Sequence, residues 1–259
     1  MKILCVGDVC GSAGCDAVRR HLPEIKRNLG IDLTVINGEN SADGNGITPE
    51  SASSLFCWGA DIITGGNHTL RRQEVYDLLD SNPNLLRPHN LPNAEYGSGY
   101  CLYDMGRVLV AVINLSGKIY LDSLGAENPF TAADELIDRA KSDGAKIIIA
   151  DFHAEATSEK WALGLYLDGR VSVFFGTHTH IQTADEQILP LGTGYITDLG
   201  MTGPKHSVLG VRSDIIISRL KDKNMQKFEL AEGECILNAC VFTVDEKTAK
   251  VTDIKRIYI

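Results

Sequence analysis

The sequence predicts an α/β fold in which two β-sheets pack face to face and helices cover their outer surfaces. In the first half of the chain, short apolar runs typical of buried strands alternate with stretches whose apolar residues have helical spacing. This alternation predicts a largely parallel sheet with right-handed crossovers. Beyond Gln182, apolar runs follow one another with turn-like breaks and without a helical pattern, which predicts antiparallel strands.

The elements of the first half follow in a regular order. The strands are predicted in the runs KILCVGD, LTVINGEN and DIITGGNH. Each run is followed by a helical pattern: from Ala13 to about Arg27, from Pro49 behind the cap residue Thr48, and through Val75 and Leu79.

The middle of the chain is less regular. The segment 82–98 contains three prolines among asparagines and is predicted to be a surface loop. The segment 118–130 has no clear period, and both a loop over the site and a subunit contact are compatible with it. Helices are predicted from the cap residue Thr131 to Gly144 and over 155–169. The remaining predicted strands are RVLVAVINLSG, KIIIADFH and VSVFFGTHTH, then ILPLGTGYITDLG, VLGVRSDIIISRL, CILNACVFTV and KVTDIKRIYI.

Length and composition limit the class of protein. The chain has 259 residues and no linker-like stretch, so we predict a single domain over residues 1–259. No apolar stretch approaches the roughly 20 residues of a membrane span, and the start of the chain lacks a signal-peptide pattern, so we expect a cytoplasmic protein. The seven cysteines are scattered without a CxxC pair, which predicts reduced thiols.

The charge of the chain argues against one class of partner. Duplex nucleic acid is bound mainly by clustered Lys and Arg, whereas this chain has a net charge of −9. A small phosphate ester is compatible with that charge, because bound divalent cations would reverse the local sign of the field.

Residue types that bind metals stand at the ends of almost all the strand-like runs of the first half and middle. In an α/β sheet, residues just past the carboxyl ends of the strands line one shared crevice. Carboxylates, imidazoles and carboxamides without thiolates are the ligand set of a divalent-metal hydrolase. The residues at these ends are Asp8, Glu39, Asn40, Asn67, His68, His153, His178 and His180.

The GTHTH motif is the most informative of these ends. His178 and His180 stand at i and i+2 as the chain leaves a strand, so both imidazoles can project into one cavity. Asp151, Glu155 and Asp185 flank the predicted ligands and can orient imidazoles, although helix capping or solvent exposure explains them equally well.

Several long motifs resemble those of a known family. The strings GDVCG, NGEN, GGNHT, DFHAEATSEK, GTHTHIQTAD and YITDLGMTG resemble the calcineurin-like metallophosphoesterases and, more closely, the YmdB-like bacterial family. The resemblance implies a four-layer αββα sandwich of two mixed sheets flanked by helices. It also implies a dinuclear metal site that hydrolyses phosphodiesters, 2',3'-cyclic nucleotides being the substrates associated with the family.

The resemblance also assigns the predicted ligands to two metal ions. It places Asp8, Glu39, Asn40 and His180 around one ion, and Glu39, Asn67, His153 and His178 around the second, with Glu39 bridging. Cys10 occupies the position of a second ligand in many metallophosphoesterases, but the YmdB-like pattern has no ligand there. The resemblance favours iron or manganese, and the ligand types are also compatible with zinc or nickel.

Two further histidines have predicted roles. His68 follows the predicted ligand Asn67 directly and is predicted to be the general acid; binding of phosphate without proton transfer is the alternative. His206 stands in GPKHSVLG, where the family has an acidic residue, and is a candidate substrate contact.

The same metal site allows other functions. A phosphomonoesterase or nucleotidase would share all the metal chemistry, and a regulatory protein could hold a nucleotide without turnover. The intact ligand set with His68 favours an enzyme over a binding protein. It does not separate a monoesterase from a diesterase, and the family resemblance favours a small phosphodiester substrate. A homo-oligomer is compatible with the sequence.

Overall fold

Two large β-sheets dominate the computed structural model, which describes residues 1–43, 45–92 and 95–259. In chain order the strands are β1 (Lys2–Val6), β2 (Asp8–Val9), β3 (Leu33–Asn37), β4 (Ile62–Thr64), β5 (Tyr100–Asp104), β6 (Leu109–Ser116), β7 (Ile147–His153), β8 (Val173–Thr177), β9 (Gln187–Ile188), β10 (Gly194–Ile196), β11 (Met201–Pro204), β12 (Ser207–Val208), β13 (Val211–Arg212), β14 (Cys235–Ile236), β15 (Asn238–Val244) and β16 (Val251–Tyr258). The first sheet has the order β16-β15-β1-β3-β4 and the second β5-β6-β7-β8-β10-β9.

Both large sheets are mixed. In the first, β1, β3 and β4 are parallel, while β15 pairs antiparallel with β1 and with β16. In the second, β6, β7, β8 and β10 are parallel, while the edge strands β5 and β9 are antiparallel to their neighbours. Two smaller groups are the sheet β14-β11-β2 and the hairpin β12-β13.

Helices cover the outer face of each large sheet. The α-helices of the described residues are α1 (Gly11–Leu29), α2 (Pro49–Cys57), α3 (Tyr76–Ser81), α4 (Pro129–Ser142), α5 (Thr157–Leu167) and α6 (Ser213–Asp222). One buried cluster joins the inner faces of the two sheets, for example Val35 with Val112. A second joins the first sheet to α1 and α2, and a third joins the second sheet to α4 and α5. The layers are therefore α, β, β and α, which confirms the predicted architecture.

Several sequence predictions hold at the level of single elements. α1 covers the predicted helix, with Val18, Leu22 and Ile25 buried. α2 begins at Pro49, and the Ser51 backbone N–H donates to the Thr48 hydroxyl, as expected of a capped start.

Other predictions are wrong. α4 begins at Pro129, two residues before the predicted cap, because the Asn128 side chain accepts from the Phe130 N–H at 2.9 Å. The predicted strand in VLGVRSDIIISRL is the short hairpin β12-β13 followed by α6, because consecutive isoleucines fit a helix and a strand equally well. The strands beyond Gln182 are not all antiparallel, since β10 runs parallel to β8 and β11 parallel to β2.

The segment 82–98 also differs from the predicted surface loop. Leu85 and Leu86 are buried in the core, and the Leu86 N–H donates to the Ile63 carbonyl at 2.8 Å. These contacts extend the sheet beside β4, so this part of the segment belongs to the core. Of the helices in the described ranges, none is long and apolar enough to cross a membrane.

Candidate metal centre

The predicted ligands converge at the carboxyl ends of the parallel strands. Asp8 follows β1 across Gly7, Glu39 and Asn40 follow β3, and Asn67 follows β4. The register of the second sheet places His153 of β7 opposite Thr177 of β8, and His178 and His180 come directly after β8. The two sheets therefore contribute ligands from opposite sides of one crevice.

Four possible ligand atoms meet in one half of the site. The Nε2 atom of His153 lies 3.0 Å from Nδ1 of His178, 2.9 Å from Oδ1 of Asn67 and 3.2 Å from Oε1 of Glu39. Ligand atoms of Glu39, His153 and His178 all lie within 4.8 Å of one another, a spacing that could hold a metal ion. These four residues are the ones that the family resemblance assigns to the second ion, and that assignment stays a prediction.

Asp8 and His180 form the other half. Oδ1 of Asp8 lies 3.8 Å from Nε2 of His180, and Oδ2 accepts from the His178 backbone N–H at 3.2 Å. Asp8 is fully buried, yet within the described part of the chain its Oδ1 has no hydrogen-bond partner. A buried carboxylate oxygen without a donor is costly unless a cation reaches it.

Asn40 connects this half to His68. Its amide Nδ2 donates to Oε1 of Glu39 at 2.8 Å, so its Oδ1 faces Nδ1 of His68 at 3.0 Å. The His68 backbone N–H in turn donates to Oε2 of Glu39 at 2.9 Å. Through these contacts the structure brings together all eight residues that the sequence places at the strand ends.

Gly66 makes the close approach possible. A Cβ at this position would lie 2.3 Å from Oε2 of Glu39 and 2.4 Å from Nε2 of His153, so only glycine fits between them. The backbone of the GTHTH motif is also unusual, since His178 and His180 both have positive φ, at 96° and 65°. Such conformations cost energy in non-glycine residues and persist where the surrounding structure holds them.

A buried chain of hydrogen bonds sets the tautomer of His153. The Thr177 hydroxyl donates to Oδ1 of Asp151 at 2.8 Å, so its oxygen accepts from Nδ1–H of His153 at 2.9 Å. This leaves Nε2 of His153 as the atom that faces the other ligands. Asp151 also accepts from Asn37 and Thr64. The sequence singles out Asp151, but no local pattern marks the threonines or Asn37.

The flanking acids Glu155 and Asp185 differ in whether they contact a predicted ligand. Oε2 of Glu155 lies 3.0 Å from Nε2 of His178, so it can hold the proton there and leave Nδ1 free as a ligand atom. Asp185 instead accepts from the Thr197 backbone N–H at 3.2 Å and contacts none of the predicted ligands among the described hydrogen bonds.

One ion pair that supports the site is not predicted from the sequence, although its residues stand in the motifs DFHAEATSEK and YITDLGMTG. Lys160 of α5 and Asp198 are both fully buried, and the Lys160 ammonium lies 2.6 Å from Oδ2 of Asp198. Asp198 also accepts from the hydroxyl of Thr179 at 2.7 Å and from the Gly200 N–H at 2.8 Å. Since Thr179 stands between His178 and His180, this pair holds the GTHTH loop in place.

Burial keeps two of the three imidazoles in the neutral form that binds metal, whereas the acids around His153 favour its protonated form. Burial lowers the pKa of His178 to about 3 and that of His180 to about 4, so both are neutral at physiological pH. Burial opposes protonation of His153 as well, but Glu39, Asp8 and Asp151 outweigh it and raise the pKa of His153 to about 9. Although burial alone would raise it, His153 and His68 hold the pKa of Glu39 well below its usual value.

The pKa of Asp8 shifts in the opposite direction to that of Glu39. Burial raises the pKa of Asp8 to about 7, and Asp198 and Glu39 add to the effect while His153 opposes it. The cluster thus attracts positive charge, and a proton on His153 supplies part of it when no other cation does. Carboxylate, imidazole and amide atoms around a partnerless carboxylate oxygen fit divalent metal ions.

Cys10 and His206 do not belong to the ligand set. Sγ of Cys10 lies 3.6 Å from Nδ1 of His180, whereas the other ring nitrogen of His180 faces Asp8, and the thiol donates to the Asp8 carbonyl at 3.6 Å. His206 is exposed, and the hydrogen bonds and ion pairs of the described residues include none to it. It stands just before β12.

Comparison with known proteins places this chain in a family. The family described as YmdB-like protein matches residues 4–257. The 2',3'-cyclic-nucleotide 2'-phosphodiesterase of Bacillus subtilis (strain 168) is 48% identical over 259 residues, which cover 100% of this chain and 97% of the relative. The chain therefore belongs to the YmdB-like family.

Solved structures agree with that placement. A crystal structure described as a novel phosphatase from Mycoplasma pneumoniae has a TM-score of 0.94 at 34% identity, covering 100% of this chain and 93% of that one. A 5'-nucleotidase precursor from Thermus thermophilus has a TM-score of 0.60 at 12% identity, over 100% of this chain and 54% of the other. The latter likeness concerns the fold alone, which is the metallophosphoesterase fold predicted from the sequence.

Proposed function

We propose that this protein is a metal-dependent phosphoric diester hydrolase that acts on small nucleotides, with 2',3'-cyclic nucleotides as its substrates. The observation that carries the proposal is the meeting of ligand atoms from His153, His178, Asn67 and Glu39 beside an Asp8 oxygen that has no donor among the described residues. The 48% identity to a Bacillus subtilis protein of that name supports the substrate class.

The residues would hold two metal ions as the family pattern has them. Asp8, Glu39, Asn40 and His180 would hold one ion, and Glu39, Asn67, His153 and His178 the other, with Glu39 shared. When bound, the pair of ions supplies an activated hydroxide and neutralises charge on the phosphate. We propose iron or manganese, and the oxygen and imidazole ligands also suit zinc or nickel.

His68 would protonate the leaving oxygen. Because Asn40 donates through Nδ2 to Glu39, its Oδ1 accepts the Nδ1–H of His68. The second ring nitrogen, Nε2, is then the atom that can carry a proton to the substrate. The His68 side chain is 27% exposed, so it can reach both substrate and solvent.

Two leaving groups test the role of His68. We expect His68→Ala to lower kcat for 2',3'-cyclic AMP by roughly 10²–10⁴-fold, the usual contribution of general acid catalysis. Hydrolysis of bis-p-nitrophenyl phosphate should fall much less, since p-nitrophenolate departs readily without a proton. The matched control is His21→Ala, a histidine of α1 outside the site. Full turnover of the cyclic nucleotide by His68→Ala at saturating metal would show that His68 only binds.

A second candidate function is phosphomonoester hydrolysis, which the phosphatase description of the Mycoplasma pneumoniae structure favours. Metal analysis of protein purified without added metal, followed by assays of bis-p-nitrophenyl phosphate and p-nitrophenyl phosphate, separates the two. A preference for the monoester would overturn the diesterase proposal, and protein without metal would overturn the metal centre.

His206 remains a proposed substrate contact. It is exposed, and its chain neighbours Lys205 and Ser207 both line a cleft beside His180. We expect His206→Ala to raise KM for the cyclic nucleotide a few-fold and to leave kcat unchanged. An unchanged KM would remove it from the site.

A further inference from the structure

A cleft of about 570 Å³ opens directly beside His180. Its volume lies within the range of roughly 300–1,000 Å³ that holds small ligands. Because His180 lines the cleft, the cleft shares one residue with the candidate metal centre. Most of the other walls are apolar, and they include Ile181, Met201, Val208, Leu209 and Tyr258.

The hairpin β12-β13 forms one wall and is held against the site. A Cβ at its tip residue Gly210 would lie 3.3 Å from Cβ of Cys10, whose sulfur is 3.6 Å from Nδ1 of His180. The Ser207 hydroxyl accepts from the Gly210 N–H at 3.1 Å and donates to the Pro204 carbonyl at 2.6 Å. The close approach of Gly210 to Cys10 places the hairpin beside a residue that touches a predicted ligand, and the Ser207 hydrogen bonds hold the turn itself.

Leu209 occupies a strained position in that hairpin. Its φ is 54°, a conformation that glycine or asparagine adopts more readily, and its side chain is 54% exposed. Neither the turn nor the core requires leucine here. We therefore attribute the leucine at this position to the apolar contact that its side chain offers a ligand in the cleft.

The charges of the cleft argue against additional phosphates. Lys205 and Arg256 both line it, but Lys205 is paired with Glu234 at 3.1 Å and Arg256 with Glu186 at 2.6 Å. The two cations are therefore neutralised by their own partners. The cleft suits an uncharged, flat, largely apolar group.

We propose that this cleft binds the nucleobase of a mononucleotide while its phosphodiester lies at the metal centre. The proposal rests on the proposed function and names the part of the substrate that the walls recognise. Ile181 and Leu209 contact the faces of the base, and the exposed ribose 5'-hydroxyl needs no cation. The cleft thus sets a preference for nucleotides over phosphodiesters that lack a base.

The experiment compares two cyclic diesters that share the reacting ring. One is 2',3'-cyclic AMP, and the other is glycerol 1,2-cyclic phosphate, which has no base. For Ile181→Ala and for Leu209→Ala we expect kcat/KM for the nucleotide to fall by about tenfold, through KM, and that for the glycerol ester by less than about twofold. Ile181 is 72% exposed, so its truncation tests the cleft even where Leu209→Ala disturbs the hairpin.

The matched control is Leu220→Ala, an 80% exposed leucine of α6 outside the cleft, which should behave as wild type with both esters. Equal losses for both esters, or no loss for the nucleotide, would overturn the cleft assignment. If wild-type protein hydrolyses neither ester, the proposed function fails, and equilibrium binding of adenosine 3'-monophosphate then decides the cleft. Weaker binding by Ile181→Ala than by Leu220→Ala supports it, and equal binding overturns it.

Discussion

Two buried polar clusters lie side by side at the same edge of this molecule. In only one of them do the described residues of the protein supply a partner for every carboxylate oxygen. The Lys160–Asp198 cluster joins one cation to one carboxylate, and both oxygens of Asp198 accept hydrogen bonds from the protein. The Asp8–Glu39 cluster has two carboxylates, and one oxygen of Asp8 has no donor among the described residues. The protein therefore satisfies the first cluster by itself and leaves the second to an external cation.

The difference shows how to separate a structural cluster from a functional one. Burying a charge is costly, and a fold normally offsets the cost with a partner of its own. Where it does not, and where neutral imidazoles face the same space, the remaining attraction is available to a metal. Replacing an aspartate by asparagine should therefore have opposite effects on the stability of the metal-free protein in the two clusters.

The largest effect is expected at Glu39, which contacts both halves of the candidate metal centre. Glu39→Gln keeps the shape but removes the shared charge, so we expect metal content to fall and kcat/KM to drop by roughly 10³-fold or more, several kcal/mol of transition-state stabilisation. Elemental analysis and diesterase assays measure both. A variant with full metal content and full activity would refute the bridging role.

The next effect compares one carboxylate of each cluster. Asp198→Asn leaves the Lys160 charge buried without its partner and should lower the free energy of unfolding by about 3–5 kcal/mol. Asp8→Asn should leave the metal-free protein at least as stable as wild type at pH ~8, because it removes a buried charge whose Oδ1 has no donor among the described residues. Urea unfolding in the presence of a chelator measures both, and similar losses in the two variants would contradict the distinction.

Asp8 also predicts a direction for the pH dependence. Its folded-state pKa of about 7 lies above its ordinary 3.8, so the metal-free protein loses stability as pH rises through this interval. Asp8→Asn should flatten that part of the curve, as measured by melting temperature in chelator. An unchanged slope between these pH values would show that other groups determine it.

The smallest effect uses a matched pair of threonines. Thr177 orients His153, and Thr179 donates to Asp198, so valine at the two positions removes one hydroxyl from each cluster. Thr177→Val should weaken metal binding by about 10–100-fold, as loss of a partner behind a ligand usually does. Thr179→Val should reduce stability and retain most of the metal affinity. Metal titrations of both variants check the contrast, and equal affinities would remove the role of Thr177.

Local sequence patterns are enough to predict most of the strands and helices and the chemistry at the strand ends. These features depend on local order: apolar runs mark buried strands, and polar residues directly after them must lie at the carboxyl edge. That edge is why Asp8, Glu39, His153 and His178 could be predicted to meet from positions far apart in the chain. The same patterns predict two face-to-face sheets with helices outside, the family motifs imply the same layer order, and the structure and its neighbours confirm it.

Which polar residues pair with one another follows only from the packing of distant segments. Lys160 lies in a helix without any local sign that it is buried, and its partner Asp198 is reached only when β10 packs beside β8. The start of α4, the helix α6 and the cleft behind the β12-β13 hairpin likewise escaped prediction. Caps, ambiguous apolar runs and cavities depend on contacts between distant segments, and local periodicity contains no information about those contacts.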